Sequence, residues 1–159
     1  MVRVLFVCLG NICRSPMAEA IFKDLVKREG LESFIDADSA GIGHWHEGSE
    51  PHEGTREILD QKGISHEGML ARQVKEGDWD DFDYLIAMDE KNLNDLKAIR
   101  EKNDVVVDKL MSGVPNAKES DVPDPYFTGN FDYVYELVSE GCVQLLNRIK
   151  QEHTFKEEN

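Results

Sequence analysis

The apolar run Val-Leu-Phe-Val-Cys at positions 4–8 leads at once into a glycine-containing loop and then into Ser15-Pro16. This order constrains the fold more than any other feature of the chain. A continuous β-branched and aromatic run of this length suits a strand buried on both faces, as in the middle of a parallel sheet. Ser15 is a good helix cap, and Pro16 suits a first helical position. Ala18, Ile21, Phe22, Leu25 and Val26 then recur at helical spacing, and Gly30 ends the pattern. Strand, tight loop and helix therefore follow one another within residues 2–30.

The same alternation continues. A second strand is predicted over 35–40, before the Gly41-Ile42-Gly43 break, and a helix over 53–61, closed by Gly63. A third strand is expected over 84–88, a helix capped by Asp89 carries Leu93, Leu96 and Ile99, and a fourth strand covers 105–107. Residues 110–125, rich in Ser, Pro, Gly, Asn and Asp, read as a long loop. Phe131, Val134, Val138, Cys142, Leu145 and Ile149 make one apolar stripe on a last helix. Strands alternating with helices imply an α/β fold. The expectation is a single doubly wound domain over residues 1–153, with a four-stranded parallel sheet in order 2-1-3-4 and helices on both faces. Residues 154–159 are expected to fray, as the helix tail does from His153 onward. Sheets of this kind bind ligands beyond the carboxyl ends of their strands, where the loop after the first strand lies.

That loop is Cys8-Leu9-Gly10-Asn11-Ile12-Cys13-Arg14-Ser15. A loop turning into a helix N-terminus aims several backbone N–H groups inward, and the helix dipole adds positive potential. Leu9, Gly10, Asn11, Ile12 and Cys13 would form an oxyanion cradle with Cys8 at its base, where the amides and Arg14 favour the thiolate. Arg14 offers a planar fork for two phosphate oxygens. Asn11 suits a left-handed backbone position that braces the loop. The loop lacks the Gly-x-x-x-x-Gly-Lys-Ser/Thr pattern, so a nucleotide is not implied. A thiolate that attacks phosphorus needs an acid for the leaving oxygen. Asp124, in Asp124-Pro125-Tyr126-Phe127, is the candidate, with Asp121 a rival three positions earlier. Pro125 fixes the backbone after Asp124, and Tyr126 and Phe127 can wall an entrance. Asp-Pro is also an ordinary turn signal, so this segment gains meaning only from its pairing with the Cys8 loop.

Composition narrows the partners. A formal net charge of -14 opposes binding to nucleic acid or anionic lipid, so an anionic substrate must be held by local features. Three cysteines, Cys8, Cys13 and Cys142, form no disulfide framework and suit a reducing, cytoplasmic setting. The N-terminal apolar run is too short for a signal-peptide core or a membrane span. The histidines show no ligand spacing with the cysteines; neither a metal nor another cofactor is expected.

Val7 to Ala20 (Val-Cys-Leu-Gly-Asn-Ile-Cys-Arg-Ser-Pro-Met-Ala-Glu-Ala) resembles the opening of the low-molecular-weight protein tyrosine phosphatase family in its bacterial form. Asp-Ser-Ala-Gly at 38–41, Ala-Arg-Gln at 71–73, Phe-Asp-Tyr-Leu-Ile-Ala-Met-Asp at 82–89 and Asp-Pro-Tyr at 124–126 follow in that family's order. The resemblance implies Cys8 as nucleophile, Arg14 as phosphate clamp and Asp124 as general acid. It further implies that Ser15 hydrogen-bonds the Cys8 sulfur and that Ser39 partners Asn11. A reversible disulfide between Cys13 and Cys8 under oxidation follows from it as well. Trp45, which by residue type fits a core equally well, corresponds to an aromatic at the substrate rim. Many relatives carry Tyr-Tyr after Asp-Pro; here Phe127 lacks the second hydroxyl. The implied substrates are phosphotyrosine proteins or small aryl phosphates, and the implied state is a monomer.

Other activities fit less well. Arsenate reductases of similar sequence use two further mid-chain cysteines, and none lies between Cys13 and Cys142. Protein arginine phosphatases carry threonine where Ile12 stands, and a branched apolar side chain suits an aryl ester better than a guanidinium. A phosphate-binding module without catalysis would need neither thiol nor acid, and a flavin binder would not need Cys and Arg in its phosphate loop. Hydrolysis of p-nitrophenyl phosphate with chelator present is expected for the wild type and abolished in Cys8→Ser. Activity that survives in the variant, or that chelator removes, contradicts the cysteine mechanism.

Overall fold

The computed structural model describes residues 1–155. Four strands, β1 (Val2–Cys8), β2 (Ile35–Gly41), β3 (Tyr84–Ala87) and β4 (Val106–Lys109), form one sheet in the order β2-β1-β3-β4. All neighbouring strands run parallel. The central strand, β1, alternates between two cores. Val2, Val4, Phe6 and Cys8 point to one side and Leu5 and Val7 to the other, all buried. Burial on both faces explains why this segment reads as an unbroken apolar run.

Helices α1 (Arg14–Arg28), α2 (Glu53–Gln61) and α6 (Phe131–Glu152) cover the first face; Phe22, Leu59 and Val138 are fully buried there. The second face is closed by α3 (Asp78–Asp81) and α4 (Glu90–Ile99) around Trp79, Leu85 and Leu96. Asp89 caps α4 as expected, its side chain accepting the Asn92 N–H. Among the described residues, no helix is long and apolar enough to cross a membrane.

Several boundaries differ from the sequence expectation. The first helix begins at Arg14, not Pro16, and Ser15 does not cap it. The Ser15 hydroxyl instead faces Cys8 and Asn11. Pro16 sits in the first turn without cost, because N–H groups there have no intrahelical acceptor. The fourth strand starts one residue later than expected, since the Val105 N–H closes a turn onto the Lys102 carbonyl, and runs two residues further, to Lys109. The 110–125 segment is less irregular than its composition suggests. It opens with a 3-10 turn, Leu110–Gly113, whose Leu110 and Met111 are buried, and it leads into the short helix α5 (Pro125–Thr128). Past α6, Phe155 meets Phe34 with ring centroids 5.6 Å apart and stacks with His153. The remainder of the expected frayed tail, 156–159, lies outside the described residues.

Gly141 in α6 is the closest approach between that helix and the 3-10 turn. A Cβ there would fall 2.5 Å from Leu110 Cγ, the branch point of a buried side chain. Alanine gains about 1 kcal/mol of helix propensity, whereas overpacking costs about 1–3 kcal/mol. Gly141→Ala is therefore expected to lower stability by about 1 kcal/mol in denaturant titration. The loss should shrink in a Leu110→Ala background; an equal loss in both backgrounds contradicts the packing explanation.

Candidate active site

β1 ends at Cys8 and α1 starts at Arg14, so the intervening five residues must reverse direction tightly. Asn11 makes the turn possible with a left-handed φ of 57°. Its short amide relieves that conformation through local hydrogen bonds. Nδ2 donates to Ser15 Oγ at 2.8 Å and to Ser39 Oγ at 3.0 Å, while Oδ1 accepts the Arg72 N–H at 3.0 Å. Both amide hydrogens and the amide oxygen are thus used, and Asn11 is buried.

This network extends both ways. Ser15 Oγ lies 3.0 Å from Cys8 Sγ and 3.4 Å from the Ala40 carbonyl. Ser15 Oγ accepts from Asn11, and its own proton can go to the sulfur or to the Ala40 carbonyl. On the far side, Ser39 donates to Glu19 Oε1 at 2.7 Å, and Lys23 Nζ meets Glu19 Oε2 at 2.7 Å. Burial pushes the Glu19 carboxyl above its ordinary pKa, against the opposing pull of Lys23 and Ser39. The Arg72 guanidinium is held by Asp38 and the buried Asp78, which fixes the backbone that reaches Asn11. Gly41 completes the fit: a Cβ there would lie 3.1 Å from the Asn11 backbone nitrogen.

Arg14 is buried beneath the loop. Nη1 donates to Asp89 Oδ2 at 2.7 Å and to the Val122 carbonyl at 2.9 Å, and Nη2 reaches Asp124 Oδ2 at 3.4 Å. Burial opposes the charge on Arg14, but Cys8, Asp89 and Asp124 outweigh it and raise its pKa. Its Nε, also buried, has no hydrogen-bond partner among the described residues. The Nε–Nη2 edge, bearing one orphaned donor and one long contact, is therefore the side suited to an oxyanion.

Asp124 divides its carboxylate between two tasks. Oδ1 caps α5 by accepting the Tyr126 N–H at 3.1 Å, and Oδ2 faces Arg14. The rival, Asp121, is engaged elsewhere: its Oδ1 accepts from Lys109 Nζ and from the Glu90 N–H, each at 3.1 Å.

A cavity of about 110 Å³ opens over Cys8, Leu9, Gly10, Ile12 and Cys13. Trp45, Tyr126 and Phe127 form its walls, and Asp124 lines it as well. Trp45 is 66% exposed and lines this cavity, so it is not a core residue. Tyr126 and Phe127 are exposed and meet edge to face. Of the loop residues expected to contact a substrate, Asn11 and Ser15 have side chains turned into the supporting network behind the cradle. The Cys13 thiol, pushed up to about 12 by burial and by the nearby Cys8 and Asp124, is suppressed as a second nucleophile.

Two parts of the site escaped the sequence reading. Asp89 was legible only as a helix cap, yet its other oxygen grips Arg14. The signal was its position just beyond the third strand, since β3 neighbours β1 and their carboxyl ends adjoin. His46 also lines the cavity, its ring close to Gly10, where a Cβ would lie 3.1 Å from the imidazole. Nothing in the spacing of the histidines pointed to it.

Comparison with known proteins is consistent over nearly the whole chain. The protein-tyrosine-phosphatase YfkJ of Bacillus subtilis is 59% identical over 153 residues, covering 96% of this chain and 98% of that protein. Its crystal structure superposes with a TM-score of 0.93 and covers 97% of this chain and 98% of that one. The protein-tyrosine-phosphatase PtpA of Staphylococcus epidermidis is 45% identical over 157 residues, covering 99% of each chain. The Drosophila arginine phosphatase structure, 36% identical, has a TM-score of 0.86 and covers 94% of this chain and 99% of that one. The profile described as low molecular weight phosphotyrosine protein phosphatase matches residues 3–155. By this match and by relatives of 45–59% identity over nearly its full length, the chain belongs to the low molecular weight phosphotyrosine protein phosphatase family.

Proposed function

We propose that this phosphatase hydrolyses phosphotyrosine and other aryl phosphate monoesters through a phosphocysteine on Cys8. The observation that carries this reading is that Asp124, more than a hundred residues further along the chain, meets Cys8 at one cavity with aromatic walls and reaches Arg14 beneath the loop. The phosphoryl group enters over the loop amides, with two of its oxygens on the Nε–Nη2 edge of Arg14. Cys8 Sγ attacks phosphorus, the S–P bond forms and the P–O bond to the leaving group breaks. Asp124, displaced from Arg14 by the phosphoryl group and holding a proton taken up with the substrate, delivers that proton to the departing oxygen. Asp124, now a carboxylate, takes a proton from an attacking water; the P–O bond to that water forms, the P–S bond breaks, and Cys8 leaves as thiolate with inorganic phosphate. Ser15, bonded to the sulfur, eases that departure. Arg14 holds the equatorial oxygens throughout and compensates charge that spreads onto them in the transition state.

The aryl preference is supported by Ile12, which lines the cavity and packs with Cys13 and Ala71, and by the rings of Trp45, Tyr126 and Phe127. They offer a slot for a flat ring, and among their side chains the Tyr126 hydroxyl alone can accept a hydrogen bond, a poor match for a guanidinium. The likeness to the Drosophila arginine phosphatase favours phosphoarginine as the second reading. Three buried cysteines without a disulfide are in keeping with a reducing, cytoplasmic site of action.

Asp124→Asn is expected to lower kcat/KM by about 100-fold for phenyl phosphate, within the usual range for a general acid. The loss should be much smaller for p-nitrophenyl phosphate, whose leaving group needs little protonation. Equal losses on the two esters remove Asp124 from the acid role. Peptides carrying phosphotyrosine or phosphoarginine decide the substrate: the wild type is expected to favour phosphotyrosine, and Ile12→Thr to narrow that preference. A wild type that turns over phosphoarginine faster overturns the Ile12 argument.

A further inference from the structure

Asp124 sits on a strap running from Val114, beyond the 3-10 turn, to the start of α5. The last part of this strap is stiff, since Pro123 and Pro125 flank Asp124 and each fixes its φ. Between its ends, which bond locally to the 3-10 turn and to α5, backbone bonds among the described residues hold it at Val122: the N–H donates to the Met88 carbonyl at 2.8 Å, and the carbonyl accepts from Arg14 at 2.9 Å. One residue is a pivot, and a second attachment is needed to set the direction in which Asp124 projects.

That attachment is Asp121. Its Oδ1 receives the N–H of Glu90, the first residue of α4, which has no acceptor within its own helix. The same oxygen receives Lys109 Nζ, and Lys109 Nζ also meets Glu90 Oε2 at 3.1 Å. Lys109 ends β4 and pairs with Ala87 of β3, so it stands on the rigid sheet. Its side chain is only 16% exposed. Both carboxylates lean on this one ammonium. Burial opposes the Lys109 charge, and the bonds to Asp121 and Glu90 outweigh it. Without the ammonium, Glu90 and Asp121 would face each other as like charges, and the strap is the side free to move.

We propose that Lys109, acting through Asp121 and Glu90, is a positioning residue that aims the Asp124 carboxyl at the leaving oxygen. The inference rests on the reading of Asp124 as general acid. Lys109 touches neither substrate nor the reacting atoms; it sets the angle of the strap, and Val122 and Pro123 carry that angle to Asp124. A displacement of about 1 Å at a catalytic group can cost up to about 100-fold in rate, so a partial loss of aim is measurable.

The test compares kcat/KM on phenyl phosphate and p-nitrophenyl phosphate for the wild type, Lys109→Met, Lys109→Arg, Asp121→Asn and Asp124→Asn. Lys109→Met is expected to lose about tenfold on phenyl phosphate and no more than about twofold on p-nitrophenyl phosphate, with inhibition by inorganic phosphate unchanged. Lys109→Arg should restore most of the activity on phenyl phosphate. In an Asp124→Asn background, Lys109→Met should add no leaving-group dependence. Equal loss on both esters, or loss on neither, overturns the proposal. If Lys109→Met does not fold, Asp121→Asn decides, with the same selective loss expected in milder form and a uniform loss or none against it. If Asp124→Asn itself shows no leaving-group dependence, the acid assignment fails and the Lys109 proposal with it. A selective Asp124→Asn beside an unselective Lys109→Met overturns the positioning role alone.

Discussion

The site depends on one amide side chain. Asn11 holds the left-handed turn that lets a parallel strand run straight into a helix, and it does so by engaging three segments at once. Each partner is itself fixed: Ser15 by the start of α1, Ser39 by β2, Arg72 by its pair of aspartates. A buried polar group that satisfies every donor and acceptor gives rigidity, whereas one left half-satisfied costs stability. The loop is thus preorganised for an anion before one arrives, and reorganisation is not charged against the chemical step.

The parallel sheet does the rest by bringing carboxyl ends together. Cys8 ends β1, Asp89 follows β3, and Lys109 ends the neighbouring β4, so the proposed nucleophile, the arginine's partner and the strap's anchor share one edge. Arg14 is then surrounded by groups from far along the chain, at Asp89, Val122 and Asp124. In a chain with a formal charge of -14, this edge is where local dipoles and one buried guanidinium oppose the global field.

How much of this could be read from the sequence follows the range of each signal. The order of elements was legible because β1 is an unbroken apolar run and α1 and α6 have helical periodicity, and the sheet order agrees. The Cys8 loop was legible because its physics is local, a strand, a turn and a helix start within a few residues. Ser15 misled as a cap because serine at a helix start has two uses, and only the neighbouring sulfur and amide decide between them. Asp121 and Asp124 carried almost the same local signal; what separates them is which cation each meets, Lys109 or Arg14, and that depends on tertiary structure. Asp89 and His46 were hidden for the same reason, as contacts made across strands or loops leave no mark on spacing.

The long contact between Arg14 and Asp124 also bears on turnover. A phosphoryl group that reaches the Arg14 edge does not fill an idle fork. It takes the place of a carboxylate already leaning there, so entry is an exchange of one anion for another. On the proposed mechanism the same exchange would run in reverse once water frees inorganic phosphate, with Asp124 reclaiming the guanidinium. Some affinity for free phosphate would thus be given up in return for clearing the product.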